Sequence, residues 1–358
     1  MNSIGRNFKS SLCRLMHNGC YLIPSPSAMF VVGSTGLSGP LFHKDQMPEH
    51  FHESFIVKGY RSPKSSPFQC VLSLFDATNE TLNFWTHFLP SWYFMWVLRD
   101  SSVTLDFRHD SYSWPLLAYM CMCCIYPLAS AMAHTFNTMS DNARHICFFL
   151  DYSAISASAF GGAIAIRAYC FPSDLRATSF GNWYLTGAFV NSLLCIFIAC
   201  KTRFMPLSQT RKAMRLTSLG WPFIYATLPL AYRLLCGTQE DSDLSSTYYH
   251  LMSIVLMYVS AFLYSAHFPE RLFPGSFDII GHSHQWFHMS VILGTIYQMH
   301  AILLDKRERE PNLLPGWEFP SAGSSVGRLA IVLAVNTVVV IAYSLKLLCV
   351  DAKKLKSA

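Results

Sequence analysis

Residues 282–288 of this 358-residue chain read H-S-H-Q-W-F-H. The four-residue step from His284 to His288 puts two imidazoles on one helix face, about one turn apart. The same step separates Ser130 from His134, and Asp151 is a carboxyl set in an apolar run. Three imidazoles and a carboxylate are what a Zn²⁺ site with three protein ligands and one water asks for. Asp151 would then bind the metal directly or hold its water. The alternative is a set of interhelical hydrogen-bonding groups with no metal, and residue type alone leaves the two readings open.

Whether these groups meet depends on the elements that carry them. Hydrophobic residues make up 52% of the chain and charged residues 13%, about half the usual charge of a soluble domain. Apolar material this abundant must face lipid as well as a core. Eight stretches approach the ~20 residues needed to cross a bilayer, near 82–98, 114–134, 146–170, 183–200, 216–236, 248–267, 284–304 and 329–350. Pro90, Pro127, Pro222 and Pro229 fall inside them, which neighbouring helices in a bundle tolerate. Lys and Arg number 17 on the N-terminal side and seven on the other. The positive-inside rule therefore expects both termini in the cytosol, and an even number of spans agrees.

This topology sets depth. The second span runs inward to His134, while the third and seventh run outward from Asp151, His284 and His288. All four groups are thus expected at one level, just inside the cytosolic leaflet, where ionisable groups are costly and usually functional. A further polar stripe of Asn79, Asn83 and His87, with Glu80 and Thr86 beside it, enters the first span. Packing between helices is its expected role, with a contribution to the cavity as the functional alternative. His145 and His282 are read as interfacial rather than as ligands, and His300 as lying at the far end of the seventh span. Cys170 and Cys236 fall at outer helix ends and are expected to remain free thiols.

The domain reading is a cytosolic N-terminal segment over 1–58, partly disordered, a membrane domain of eight helices over 59–350, and a short basic cytosolic tail over 351–358. The sequon at Asn79 is expected to be unglycosylated on the cytosolic side. No basic run with interleaved aromatics points to nucleic acid, and no G-x-S-x-G motif offers a serine nucleophile.

Several longer runs carry a family likeness: G-Y-R-S-P at 59–63 with N-E-T-L-N-F-W-T-H at 79–87, S-A-M-A-H at 130–134 with R-H-I-C-F-F-L-D-Y at 144–152, and the run from His267 to His288. Together they resemble the progestin and adipoQ receptor family over roughly 45–350, on the progestin side rather than the adiponectin side. Phe268 and Trp286 depart from the expected apolar types without touching a candidate ligand.

The resemblance implies an all-α polytopic membrane bundle, a seven-helix adiponectin-receptor-like core plus an eighth C-terminal transmembrane helix. It implies Zn²⁺ on His134, His284 and His288, with Asp151 on the metal's water and Ser130 nearby. It also implies a plasma-membrane receptor for progesterone-like steroids, rapid non-genomic signalling linked to oocyte maturation, and as partners a steroid or other lipid, the bilayer and a G protein.

An enzyme is the alternative from a different class. A Zn²⁺-activated water could attack a ceramide-like amide, with Asp151 orienting or deprotonating it and Ser130 bonding substrate or oxyanion. A purely structural metal clasp is a third use of the same residues.

Overall fold

The computed structural model describes residues 38–206, 208–236, 245–310 and 321–357. Eight long helices occur among them: α1 Thr81–Thr104, α2 Trp114–Phe136, α3 Asp141–Ala165, α4 Ser179–Thr202, α5 Gln209–Cys236, α6 Thr247–Ala266, α7 Ser283–Arg309 and α8 Arg328–Ser357. Local chemistry starts several of them. The Ser140 and Thr178 hydroxyls accept the Ala143 and Gly181 amides at the heads of α3 and α4, replacing partners that a helix start lacks. Pro115 occupies the first turn of α2, where a missing N–H costs nothing. The four internal prolines lie in α1, α2 and α5.

Each helix from α1 to α7 packs on the next in sequence except across the α1–α7 seam, where contact between first and last closes a ring. α8 lies outside this ring, against α3 and α4. The architecture is therefore a seven-helix core with an eighth helix added. Six helices are long and apolar enough to cross a membrane by length and composition. α1 and α5 fall short of that measure, for identifiable reasons. α1 carries Asn83, Thr86 and His87 inside and Arg99 and Asp100 at its end, and α5 opens with Gln209, Thr210, Arg211, Lys212 and Arg215. Both nevertheless match their neighbours in length and sit within the ring.

Burial is arranged for lipid. Leu116, Met120, Phe160, Tyr169, Phe171 and Tyr184 pack inside, while Trp92, Trp96, Phe262, Val338 and Ile341 are exposed on the outer faces. In a bilayer those outer side chains meet acyl chains.

Residues 38–58, ahead of the helical bundle, carry structure of their own. Strand β1 (Phe42–His43) pairs antiparallel with β2 (Lys58–Tyr60), and Met47, Phe51, Ile56 and Tyr60 form a small core beneath them. This unit rests on the N-terminal face of the bundle. The Asp278 carboxylate, from the α6–α7 loop, accepts the Val57 and Lys58 amides at 3.1 and 3.0 Å. Asn79 N–H donates to the Gly59 carbonyl at 3.0 Å. Gly59 has φ +87°, and a Cβ there would stand 3.2 Å from the Asn79 nitrogen, so two constraints require glycine. Sparse apolar residues without periodicity hid this cap from the sequence reading. Residues 1–37, the larger part of the expected N-terminal segment, lie outside the described residues. Cys170 and Cys236 are free.

Replacing Asp278 with Ala strands two amide donors, at about 1–3 kcal/mol each. The expected result is proteolytic cleavage within residues 38–58 at protease levels that leave wild type intact, with the helical bundle retained. Unchanged protection would show that this carboxylate does not hold the cap.

Candidate metal centre

His134 sits in the last turn of α2, and His284 and His288 in the first two turns of α7. Their donor atoms all lie within 4.8 Å of one another. The Nε2 atoms of His134 and His284 are 3.3 Å apart. Two nitrogens bound to one tetrahedral zinc at ~2.05 Å stand about 3.3 Å apart, whereas an N–H···N hydrogen bond is normally shorter, about 3.0 Å. Ring centroids are 5.1, 5.0 and 4.5 Å apart for the three pairs.

The other nitrogens are held from α1. His134 Nδ1 faces the Glu80 carboxylate at 2.7 Å. A carboxylate only accepts, so the proton is on Nδ1 and the Nε2 lone pair is turned to the centre. Similarly, His288 Nδ1 lies 3.2 Å from the Asn83 carbonyl and 3.1 Å from the Thr86 hydroxyl. A carbonyl requires a donor, which leaves His288 Nε2 free. Ligand histidines in metal sites are oriented by this kind of partner.

Glu80 is itself held. Its carboxylate accepts from Asn83 Nδ2 at 2.8 Å and Asn137 Nδ2 at 2.7 Å. Arg61 stands behind it, donating to the His134 and Thr135 carbonyls at 2.6 and 2.8 Å and to Asn137 Oδ1 at 2.7 Å. Those carbonyls are at the end of α2, where no helical partner remains and a cation is favoured. Arg61, Glu80, Asn83, His134, Thr135 and Asn137 are all buried.

Asp151 and Ser130 are both buried. Asp151 Oδ1 has no partner, nor do Asn83 Oδ1 or either ring nitrogen of His87. The His87 ring stacks on His288, with centroids 3.7 Å apart and 13° between planes. Buried polar atoms without partners are scarce in proteins, and here they gather beside three converging imidazoles. The donor set, the inward lone pairs and the orphaned atoms together fit a bound zinc and its water.

The structure brings His134, His284 and His288 together, and it buries Asp151 and Ser130. It also recruits the first-span stripe, for which helix packing was the expected role. Glu80, Asn83, Thr86 and His87 all touch the site, and Glu80 and Arg61 were not foreseen as supports. Their shared depth with His134 was the available signal. His282, expected to be interfacial, is buried, with Nε2 3.2 Å from the Asn79 carbonyl. His145 is half-buried and accepts from Arg203 at 3.2 Å, and His300 is exposed against Tyr249.

The head of α7 is fixed by the preceding loop. Glu270 accepts the Ser283 amide at 2.7 Å and also the Ser283 hydroxyl. Gln285 Oε1 accepts the Gly281 amide at 2.6 Å.

A second group, Cys170, His250 and Asp305, also has donor atoms within 4.8 Å of one another. There Arg233 donates to Asp305 at 2.7 Å, and His250 Nε2 lies 2.9 Å from the same oxygen. The guanidinium already compensates the carboxylate and would repel a dication, so this cluster is a structural tie.

The sequence pattern of the haemolysin-III-related family matches residues 75–299, a range that includes all three imidazoles, Glu80, Ser130 and Asp151. The chain is 49% identical to membrane progestin receptor gamma of Homo sapiens over 276 residues, covering 76% of this chain and 84% of that protein. Membrane progestin receptor gamma-B of Danio rerio is 40% identical over 326 residues, with 86% and 94% covered. Membrane progestin receptor delta of Homo sapiens is 40% identical over 316 residues, with 86% and 91% covered.

Removing the acceptor behind a ligand histidine typically costs 10–100-fold in metal affinity. Glu80→Ala is expected to lose zinc in that range in chelator competition, while Glu80→Gln, which keeps an acceptor oxygen, loses less. Equal retention by wild type and Glu80→Ala would break the link between Glu80 and the centre.

Proposed function

Since the chain belongs to the haemolysin-III-related family, in its progestin and adipoQ receptor branch, we propose that this multi-pass membrane receptor binds progesterone-like steroids at the plasma membrane. The observation that carries the reading is 40–49% identity to proteins named progestin receptors over three quarters or more of the chain. A steroid is flat and apolar, so it concentrates in the bilayer and reaches the bundle through its lipid-facing wall. Sites for such ligands pair apolar lining with a few polar groups. The His87 ring, buried with both nitrogens unpaired, supplies an N–H for a steroid ketone oxygen. The excess of Lys and Arg on the side of both termini supports a cytosolic location for them. Rapid non-genomic signalling through a G protein, with a role in oocyte maturation, completes this reading.

The site geometry supports a second reading, a zinc-dependent amidase acting on ceramide-like lipids. His134, His284 and His288 would hold the ion. Zinc bound there supplies Lewis acidity, polarising a carbonyl oxygen or easing deprotonation of water. Asp151 has an unpaired carboxylate oxygen to accept a water proton, and Ser130 would bond substrate or oxyanion. Glu80, Asn83 and Thr86 keep the rings in the tautomer that leaves Nε2 free. A lipid amide fits a polar centre lying beneath a membrane boundary.

Two measurements separate the readings. Purified wild type is expected to bind labelled progesterone saturably, and His284→Ala to retain that binding while losing zinc. Absence of saturable binding by wild type removes the steroid reading. For the amidase, Asp151→Asn is expected to keep zinc and to lower ceramide turnover at least ~100-fold, the scale of a lost general base. Wild type without stoichiometric zinc, or Asp151→Asn turning over at the wild-type rate, would end that mechanism.

A further inference from the structure

Four arginines converge on the same face as the metal centre. Arg144, near the start of α3, and Arg203, just past α4, stand over the Phe148 ring at 5.5 and 4.7 Å. Arg215 stands over Tyr152 at 5.7 Å, and Phe148 and Tyr152 stack with centroids 6.3 Å apart. Arg211 lies one turn before Arg215 on α5 and donates to the Met205 carbonyl at 3.1 Å. Lys346 adds a cation over Phe204 at 4.7 Å.

Negative charge does not match this. Glu53 pairs with Arg144 at 3.0 Å. Asp141 is engaged by His50 at 2.7 Å, and Glu80 is committed to His134 inside the bundle. Arg203, Arg211 and Arg215 instead donate to His145, a backbone carbonyl and the Thr202 hydroxyl, respectively. None of these carries a counter-charge. Moreover, Arg144 Nε and Arg215 Nη2 are buried with no acceptor. Unmet guanidinium N–H groups in a converging set match the planar, multi-acceptor geometry of phosphate.

Position selects the source. The cluster lies at the ends of membrane helices, and exposed Trp221 on α5 and Phe262 on α6 continue outward into the lipid-facing wall. Basic pockets between helices at this level suit phospholipid headgroups. We propose that Arg144, Arg203, Arg211 and Arg215 dock the phosphate of an anionic membrane lipid, with its acyl chains against the adjoining apolar wall. Phe148 is 6.4 Å from His134, so the headgroup would sit one ring away from the metal centre. The assignment is independent of the steroid and amidase readings.

The test uses full-length protein in uncharged detergent with dioctanoyl phosphatidic acid, a phosphomonoester on two short chains. Wild type is expected to bind it, with affinity falling as salt is raised. Arg203→Gln with Arg215→Gln should weaken binding about tenfold or more, and Arg211→Gln alone about fivefold, near the worth of one basic residue at a membrane surface. Zinc content and melting temperature report folding of each variant. If the double variant does not fold, Arg211→Gln decides alone. Dioctanoylglycerol, lacking phosphate, and inorganic phosphate, lacking chains, should each bind at least tenfold more weakly. Wild-type affinity in a folded variant, equal binding of dioctanoylglycerol, or equal binding of inorganic phosphate would overturn the assignment. So would stronger binding of hexaglutamate than of the lipid, which would indicate an acidic protein partner.

Discussion

A carboxylate buried at the head of a membrane helix has to be held by donors, and Glu80 is held by His134, Asn83 and Asn137 together. An isolated buried charge would be prohibitively expensive, so these bonds constrain more than one side chain. They fix which nitrogen of His134 carries the proton. They join the start of α1 to the end of α2. Through Arg61 they also tie in the segment leading from the N-terminal cap, because the guanidinium binds the carbonyls of His134 and Thr135. Fold and site therefore share one polar network, and neither can be altered without straining the other.

The seven-helix ring makes that network possible. Residues from α1, α2, α3 and α7 must reach one level, and the contact between α1 and α7 supplies the closure. The cost appears in hydropathy. Helices that serve the interior cannot be uniformly apolar, and α1 is the clearest case, with Asn83 and His87 facing protein while Trp92 and Trp96 face out. The packing of α8 on α3 and α4 leaves the site untouched, in keeping with the plain apolar character of its sequence.

Much of this was legible beforehand. The spans were visible because apolar length is a one-dimensional property. His284 and His288 were visible because a four-residue step needs no tertiary information. Their meeting with His134 followed once each helix had a direction. What escaped was what depends on contacts distant in sequence. Glu80 was read only as a neighbour of the stripe entering the first span and Arg61 only as part of a family run, and nothing local marks either as a buried partner of a histidine more than fifty residues on. Helix ends also extended beyond the apolar windows, as at Arg309 and Gln209, since charged turns continue a helix into the headgroup layer without raising its hydropathy. The strand pair at Phe42 and Lys58 was too short to give a periodicity.

The capping of α7 by Glu270 has a mechanical meaning. An α-helix advances about 100° per residue, so His284 and His288 face the same way only while the opening turn stays wound. The Glu270 carboxylate holds that turn at Ser283. A pull on the α6–α7 loop that withdraws Glu270 frays the turn and swings one imidazole away from the other. Coordination at the centre and winding at the head of α7 are in this sense a single degree of freedom, and the loop carrying Glu270 is its handle.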